Sequence, residues 1–487
     1  MLSPHVKLWW CASCLSVLLL GVGLAKPRQK DVVVIGAGVA GATVARQLAN
    51  DPQERYHVTL LEGRENRIGG RLWTDRSSSD ALGTEGDLGG ALLDITDVHG
   101  PFYKLLKRFE LTLIKTGSLE IRSAERTEVE SGGELDTAVQ YLIEKIQTAI
   151  IEKQAVEDFS IQEALDFSAS RIPLPDKDLW EVILKAMVEP AFGAPLSNLS
   201  VNMLEVERLA MAHFIREGMD EIVNRLVSGW DSETPLDVEL GKVVRQVQVD
   251  QKKRKVKIRT TDRKSITADV VVVAVPLGVL KNGDIFFDPP LSVERKNAIN
   301  KMGFGRLNKV ILRFENMFWP EEPGMFASTA DVLKTKNPLV SSWINGYRLT
   351  ETNALVGYVT GDAAERMEGM EEDQLKEEAL KSLAYIFGHQ LVKRQKVVSM
   401  QRSSWLSDPL SGGSASYYAV GNTQEMRRQL LRPVCPYLYF AGEHATMEKP
   451  GCAEGAFLSG LKVAEEIMNG CHDDDTIKRK QKPREEL

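Results

Sequence analysis

Hydrophobic and polar positions along the chain change period several times, and each change marks an element. Residues 32–36, VVVIG, are a short unbroken apolar run, the pattern of a buried strand. GAGVAGATVARQLAN then opens on glycines and continues as a helix, and HVTLLE at 57–62 is a second strand. Residues 134–230 are mostly helical in pattern, as in ELDTAVQYLIEKIQTAIIEK and MAHFIREGMDEIVNRLVSGW. Strands return between 242 and 276 with KVVRQVQVD, KVKIRTT and ADVVVVAVP. A mixed stretch follows, containing RLNKVILRFE, ALVGYVTG and the helix EEDQLKEEALKSLAYIFG. Near the end, YLYFAGE at 437–443 is a strand, followed by a helix from Cys452 to Met468. No internal repeat is present.

Nucleotide-fold pieces therefore stand at the start, middle and end of the chain. The pattern predicts an α/β protein of two interleaved domains with a cleft between them. A Rossmann-type nucleotide-binding domain takes 30–100, 236–300 and 410–470. An α+β substrate-binding domain takes 101–235 and 301–409.

Length and charge narrow the class. The chain has 487 residues, 43% of them hydrophobic and 26% charged, with a net charge of −7. That is enough apolar material for a large core, and no positive excess points to nucleic acid. Both ends read as targeting signals. Residues 1–25 carry Lys7, the run LWWCASCLSVLLLGVGLA, and small residues Gly23 and Ala25, the pattern of a cleaved signal peptide. No second apolar run reaches spanning length, so no membrane span is expected in the mature chain. Residues 471–487 form a charged tail, expected to be disordered, ending in REEL, which resembles the KDEL class of retention signals. The expected location is the lumen of the endoplasmic reticulum, with secretion as the alternative. Loss of Cys11 and Cys14 with the signal leaves Cys435, Cys452 and Cys471, an odd number. Asn198-Leu199-Ser200 is a glycosylation sequon.

The chemistry begins at Gly36-Ala37-Gly38-Val39-Ala40-Gly41, a G-x-G-x-x-G between strand and helix. Gly36 permits the tight turn, Gly38 lets a pyrophosphate approach the backbone, and Gly41 lets helix and strand pack closely. The helix N-terminus supplies N–H groups and partial positive charge. Glu62 ends the second strand, where an acid accepts hydrogen bonds from ribose hydroxyls. Arg64 and Gly69-Gly70-Arg71 follow.

The segment E-x-R-x-x-x-x-G-G-R resembles the one that flavin-containing amine oxidases place after their ribose acid. Other blocks agree in order: DLGGALL at 87–93, LGKVVRQV at 240–247, ADVVVVAVPLGVLK at 268–281 and MGFGRLNKVILRFENMFW at 302–319. SSWLSDPLSGGSASYY at 403–418 and LYFAGEHATMEKPGCAEGAFLSGL at 438–461 complete the set. The group includes monoamine oxidases, polyamine oxidases and the flavin-type lysine-specific histone demethylase. The resemblance implies FAD, an amine substrate and O₂. By position it implies FAD contacts from Gly36, Gly38, Gly41, Glu62, Arg64, Gly70, Arg71, Gly90, Ala91, Leu92, Val244, Trp405, Glu443, Cys452 and Ala453. Val244 would lie near the adenine, Glu443 near a hydroxyl of the FAD chain, and Cys452-Ala453 near the isoalloxazine. The resemblance makes Lys309 the catalytic residue, reaching flavin N5 through a water.

Departures from the family pattern bear on the substrate. Ser414 stands where monoamine oxidases tether FAD to a cysteine, so noncovalent FAD is expected. Ala415 and Cys452 replace the two guiding aromatic rings, and Lys449 stands where the histone demethylase has a ring. Trp405, Tyr417 and Tyr418 remain as candidate aromatic walls. A lysine at the mouth would repel polycations. Glu217 replaces a glycine. The leading reading is an FAD-dependent amine oxidase. The alternatives are an L-amino-acid oxidase, a flavin-linked thiol or thioether oxidase using Cys452, and an FAD-binding protein without activity.

Overall fold

The valine run at the start becomes the strand Lys30–Ile35, which pairs in parallel with Tyr56–Leu61 on one side and Val270–Val273 on the other. Asp237–Glu239 and Leu438–Phe440 add the outer strands of this five-stranded parallel sheet. Segments from start, middle and end of the chain thus lie side by side. The apolar run is continuous because the sheet is covered on both faces. Side chains alternate: Val32 and Val34 join a core with Val44 and Leu48 of the helix Val39–Ala49. Val33 and Ile35 point the other way, into a core with Val247, Val256 and Ile258. Those last residues come from a four-stranded sheet built of Ser265–Ala268, Lys255–Thr260, Val244–Asp250 and Phe286–Asp288.

This structure is a computed structural model that describes residues 28–76, 86–95, 97–122, 127–129, 144, 148, 158–169, 177–201, 212–328, 339, 340 and 342–470. The expected signal segment, the REEL tail, Cys11, Cys14, Cys471 and most of ELDTAVQYLIEKIQTAIIEK lie outside the described residues.

The last helix, Ala453–Asn469, packs on Val39–Ala49, and Gly460 sets how closely. A Cβ there would lie 2.7 Å from the Ala40 carbonyl oxygen and 2.8 Å from Thr43 Cβ. Helices Pro101–Arg108 and Glu221–Ser228 join the same core through Phe102, Leu106, Ile222, Val223 and Leu226.

A seven-stranded sheet forms the second architectural unit, in the order Val397–Arg402, Leu307–Phe314, Ala354–Thr360, Ser342–Asn345, Met325–Ser328, Leu119–Arg122, Thr127–Val129. Val310, Leu312 and Phe314 face a core with Trp343, Leu375, Ala379 and Leu383, the last three supplied by the helix Glu372–Phe387. Period-two alternation then sends Lys309, Ile311 and Arg313 to the opposite face.

One element departs from its sequence pattern. MAHFIREGMDEIVNRLVSGW is not one helix: Ala212–Ile215 is a strand, pairing with Leu93–Asp94 and Leu113–Lys115. The chain turns at Gly218, φ +98°, and is helical only over Glu221–Ser228. Pairing with strands distant in sequence overrides the local helical spacing. Among the described residues no helix is long and apolar enough to cross a membrane.

Candidate active site

The parallel strands end on one side, and the residues just beyond them open a cleft of about 480 Å³. Gly36, Glu62, Ala274 and Gly442-Glu443 follow four of the strands and line it. Gly36 takes φ +107°, a turn that brings it under Ala274. Gly38 faces open space, since a Cβ there would meet only the Gly69 carbonyl oxygen at 3.9 Å. As N-cap, Gly38 offers no side chain to the helix, so the first N–H groups of Val39–Ala49 stand uncapped at the cleft wall. Glu62 accepts from the backbone N–H of Ala37 at 3.0 Å and of Arg64 at 2.9 Å, which ties the loop to the second strand.

Of the expected FAD contacts and Lys309, every one but Gly41 lines this cleft. Gly41 sits beneath it. A Cβ there would fall 2.0 Å from the Gly36 carbonyl oxygen, so its part is to let helix and turn touch. Gly70, at φ +60°, approaches Gly38 from the other side of the loop. Gly90, Ala91, Leu92, Val244, Cys452 and Ala453 complete the wall.

Arginines knit distant segments together. Arg64 pairs with Asp408 at 2.5 Å. Arg71 donates to the Ser414 carbonyl at 2.6 Å and to Glu443 at 2.8 Å. Glu443 is buried, and it also accepts from the Ser416 hydroxyl at 2.5 Å. Burial opposes its ionisation, but Arg71, His444 and Ser416 outweigh that and hold the carboxyl at about 2. Burial pulls the neighbouring His444 down to about 4, against the opposing effect of Glu443, so the imidazole is neutral at pH 7.

Lys309 is only 3% exposed, and its ammonium donates to the carbonyls of Asp87 at 2.7 Å and Gly89 at 2.6 Å. Burial lowers it to about 8, with Asp87 pulling the other way. In register across the sheet stands Tyr358, whose ring centre is 5.3 Å from Lys309 Nζ and which also lines the cleft. The sequence reading missed Tyr358; the signal was its alternation in ALVGYVT, opposite the lysine strand. Of the three candidate aromatic walls, only Trp405 lines the cleft, held by its indole N–H to the Leu88 carbonyl at 2.9 Å. Tyr417 packs with Phe159 and Ile161 instead, and Tyr418 lies under Arg427.

The second helix N-terminus at the cleft is that of Ala453–Asn469. Its N-cap, Cys452, is a half-buried thiol outside any disulfide, with no side-chain capping bond. Cys435, by contrast, is disulfide-bonded. Lys449 does not line the cleft. It pairs with Asp94 at 3.1 Å, and Asp94 is the one of the two that reaches the wall. Burial disfavours the Lys449 charge, but Asp94 outweighs it and raises its pKa. The polycation repulsion expected of Lys449 is therefore offset by its partner.

The model of the family described as flavin containing amine oxidoreductase matches residues 39–468. The chain belongs to that family. Polyamine oxidase 2 of Arabidopsis thaliana is 31% identical over 463 residues, covering 91% of this chain and 88% of the relative. Lysine-specific histone demethylase 1 homolog 3 of the same plant is 29% identical over 91% of this chain, which spans only 30% of that protein's length. The solved structure of wild-type putrescine oxidase bound to putrescine superposes with a TM-score of 0.70 at 19% identity, over 91% of this chain and 99% of that one. That likeness carries the fold: an FAD-binding unit combined with a substrate unit.

A flavin containing amine oxidoreductase holds FAD, and the cleft fits such a group. Two uncapped helix N-termini face it, suited to a diphosphate and to an electron-rich ring edge. The Gly38 position leaves room for a phosphate against the backbone. Ser414 lines the wall with a buried hydroxyl that has no hydrogen-bond partner among the described residues. No cysteine stands at that position to tether the cofactor.

Proposed function

We propose that the protein is an FAD-dependent oxidase of amines or polyamines. Bound FAD supplies a two-electron acceptor for the C–H bond beside the amine nitrogen, and O₂ returns from it as hydrogen peroxide. The gathering of the sequence-distant residues into one cleft, with Lys309 set in its wall, carries this reading. Gly36, Gly38 and the first helix N-terminus would hold the diphosphate, Glu62 the adenosine ribose, and Val244 the adenine. Glu443, kept ionised by Arg71, would accept from a hydroxyl of the FAD chain. The N-terminus at Ala453 would favour negative charge on the ring system. Lys309 would order water at the reacting face while the surrounding wall keeps bulk water out. The released imine would hydrolyse to a carbonyl compound.

An amine is favoured over an amino acid by the charges in the wall. Arg64, Arg71, Lys242 and Arg245 line the cleft, and each faces an acid: Asp408, Glu443, Asp262 and Asp284. Among the described residues, that arrangement offers a substrate carboxylate no uncompensated guanidinium. Anaerobic mixing of the purified yellow protein with polyamines, monoamines, amino acids and thiols tests the reading. Bleaching of the flavin by an amine class supports it, and bleaching only by amino acids or thiols overturns it.

Placement in the endoplasmic reticulum lumen, or secretion, belongs to the same proposal. The apolar leader, the REEL ending, the disulfide at Cys435 and the exposed Asn198 sequon support it. Sensitivity of the cell-expressed protein to endoglycosidase H tests it.

A further inference from the structure

Behind Lys309, away from the cleft, lies a smaller chamber of about 60 Å³. Lys309, Tyr358 and Ala91 belong to the walls of both spaces, so the lysine is the partition between them. The chamber is partly polar, with Asp87, Thr74, Arg216 and Arg313 in its wall. A polar cavity needs on the order of 10–15 Å³, measured this way, to hold a water, so this one has room for several.

Asp87 connects to Lys309 twice. Its backbone carbonyl accepts from the ammonium at 2.7 Å, and its half-buried carboxyl acts on the same charge through space. The carboxyl is fixed by the Thr74 hydroxyl at 2.5 Å and the Met219 N–H at 3.2 Å, both to Oδ1. The charged and titratable groups around it are Lys309, Arg313, Tyr358 and Arg216, which line the same chamber, and Asp220, which precedes the Glu221–Ser228 helix and acts on the carboxyl together with Lys309.

We propose that this chamber is hydrated and that from it Asp87 holds Lys309 in its charged form, making Asp87 a positioning residue for the reaction site. Burial alone drives the ammonium toward neutrality, and Asp87 is the group that opposes it. The carboxyl itself is pushed up by burial to about 6, so it remains mostly ionised at neutral pH and able to do so. The inference rests on the reading that FAD reacts beside Lys309, but its test needs no amine.

The FAD-loaded protein is photoreduced without substrate, mixed with O₂, and followed by absorbance from about pH 6 to about pH 10. The absorbance of the oxidised FAD is titrated over the same range. Wild type is expected to show one midpoint, assigned to Lys309, in both. Asp87→Asn keeps an acceptor for Thr74 and Met219 and moves that midpoint down by at least about half a unit. Lys309→Met abolishes the midpoint, and adding Asp87→Asn to it changes nothing further. An unmoved midpoint in Asp87→Asn overturns the proposal. Should that variant not fold, Asp87→Ser removes the carboxylate with a smaller polar side chain. It is expected to move the midpoint the same way, and no movement overturns the proposal. Failure of every amine to reduce the flavin would count against the proposed function and leave this result standing.

Discussion

Replacing Glu443 by glutamine keeps the side chain's shape and removes its charge from the most tightly knit point of the cleft. The carboxyl lies at about 2, against an ordinary glutamate value of 4.5. At about 1.4 kcal/mol per unit, that depression corresponds to about 3 kcal/mol of stability at neutral pH. Removing one partner of a buried ion pair costs about 3–5 kcal/mol by itself. Arg71's side chain keeps 20% exposure and a second acceptor in the Ser414 carbonyl, so the lower figure applies.

The sign with pH follows from the direction of the shift. A carboxyl depressed in the fold contributes its full stability above the unfolded value and loses it as pH falls through the folded one. The difference between wild type and Glu443→Gln should therefore hold near 3 kcal/mol above about pH 4.5 and shrink toward about pH 2. His444 also weakens the fold in acid, because its folded value of about 4 lies below the ordinary 6.5. Because the Glu443 charge supports the imidazolium, that loss is larger in Glu443→Gln, so the comparison is made in a His444→Gln background, where the difference isolates Glu443. The assay is urea unfolding of flavin-free protein, read by tryptophan fluorescence at a series of pH values. A difference under about 1 kcal/mol at neutral pH, or one that stays flat in acid, would refute the reasoning.

Three further outcomes are expected. Lys309→Met should keep FAD bound but slow turnover or flavin reoxidation by on the order of 10²-fold, measured by stopped-flow; unchanged rates would remove Lys309 from the chemistry. Gly41→Ala puts a methyl group 2.0 Å from the Gly36 carbonyl oxygen, against the backbone of the glycine turn and the Val34 side chain. It should cost about 1–3 kcal/mol or more and release FAD, seen as loss of yellow colour on gel filtration. Cys452→Ser should leave FAD binding and amine turnover within about two-fold, because the thiol acts as a small wall residue. Loss of activity with FAD still bound would instead support the thiol reading.

What the sequence made legible, and what it hid, divides by the range of the interaction. The glycine turn, its flanking strand and helix, and the acid at the end of the second strand are local features, each written in adjacent residues. The Lys30–Ile35, Tyr56–Leu61 and Ala453–Asn469 elements fall within a residue or two of their patterns for that reason. Ala212–Ile215 was hidden because its partners, Leu93–Asp94 and Leu113–Lys115, are about a hundred residues away. The same limit governs the site. That Lys309 faces inward could be read from LNKVILRF, since the odd positions of that strand share a face. Its surroundings could not, because they depend on register and on a third segment. Tyr358 meets it only through the pairing of two strands, and Asp87 only through a backbone carbonyl more than two hundred positions earlier in the chain. Lys449 shows the electrostatic form of the same point. Read alone it is a positive charge at a mouth, and only the fold places Asp94 against it, more than three hundred positions earlier in the chain. Residue type and spacing therefore state which groups are available, while the net charge a substrate meets is set by pairings that only the folded chain contains.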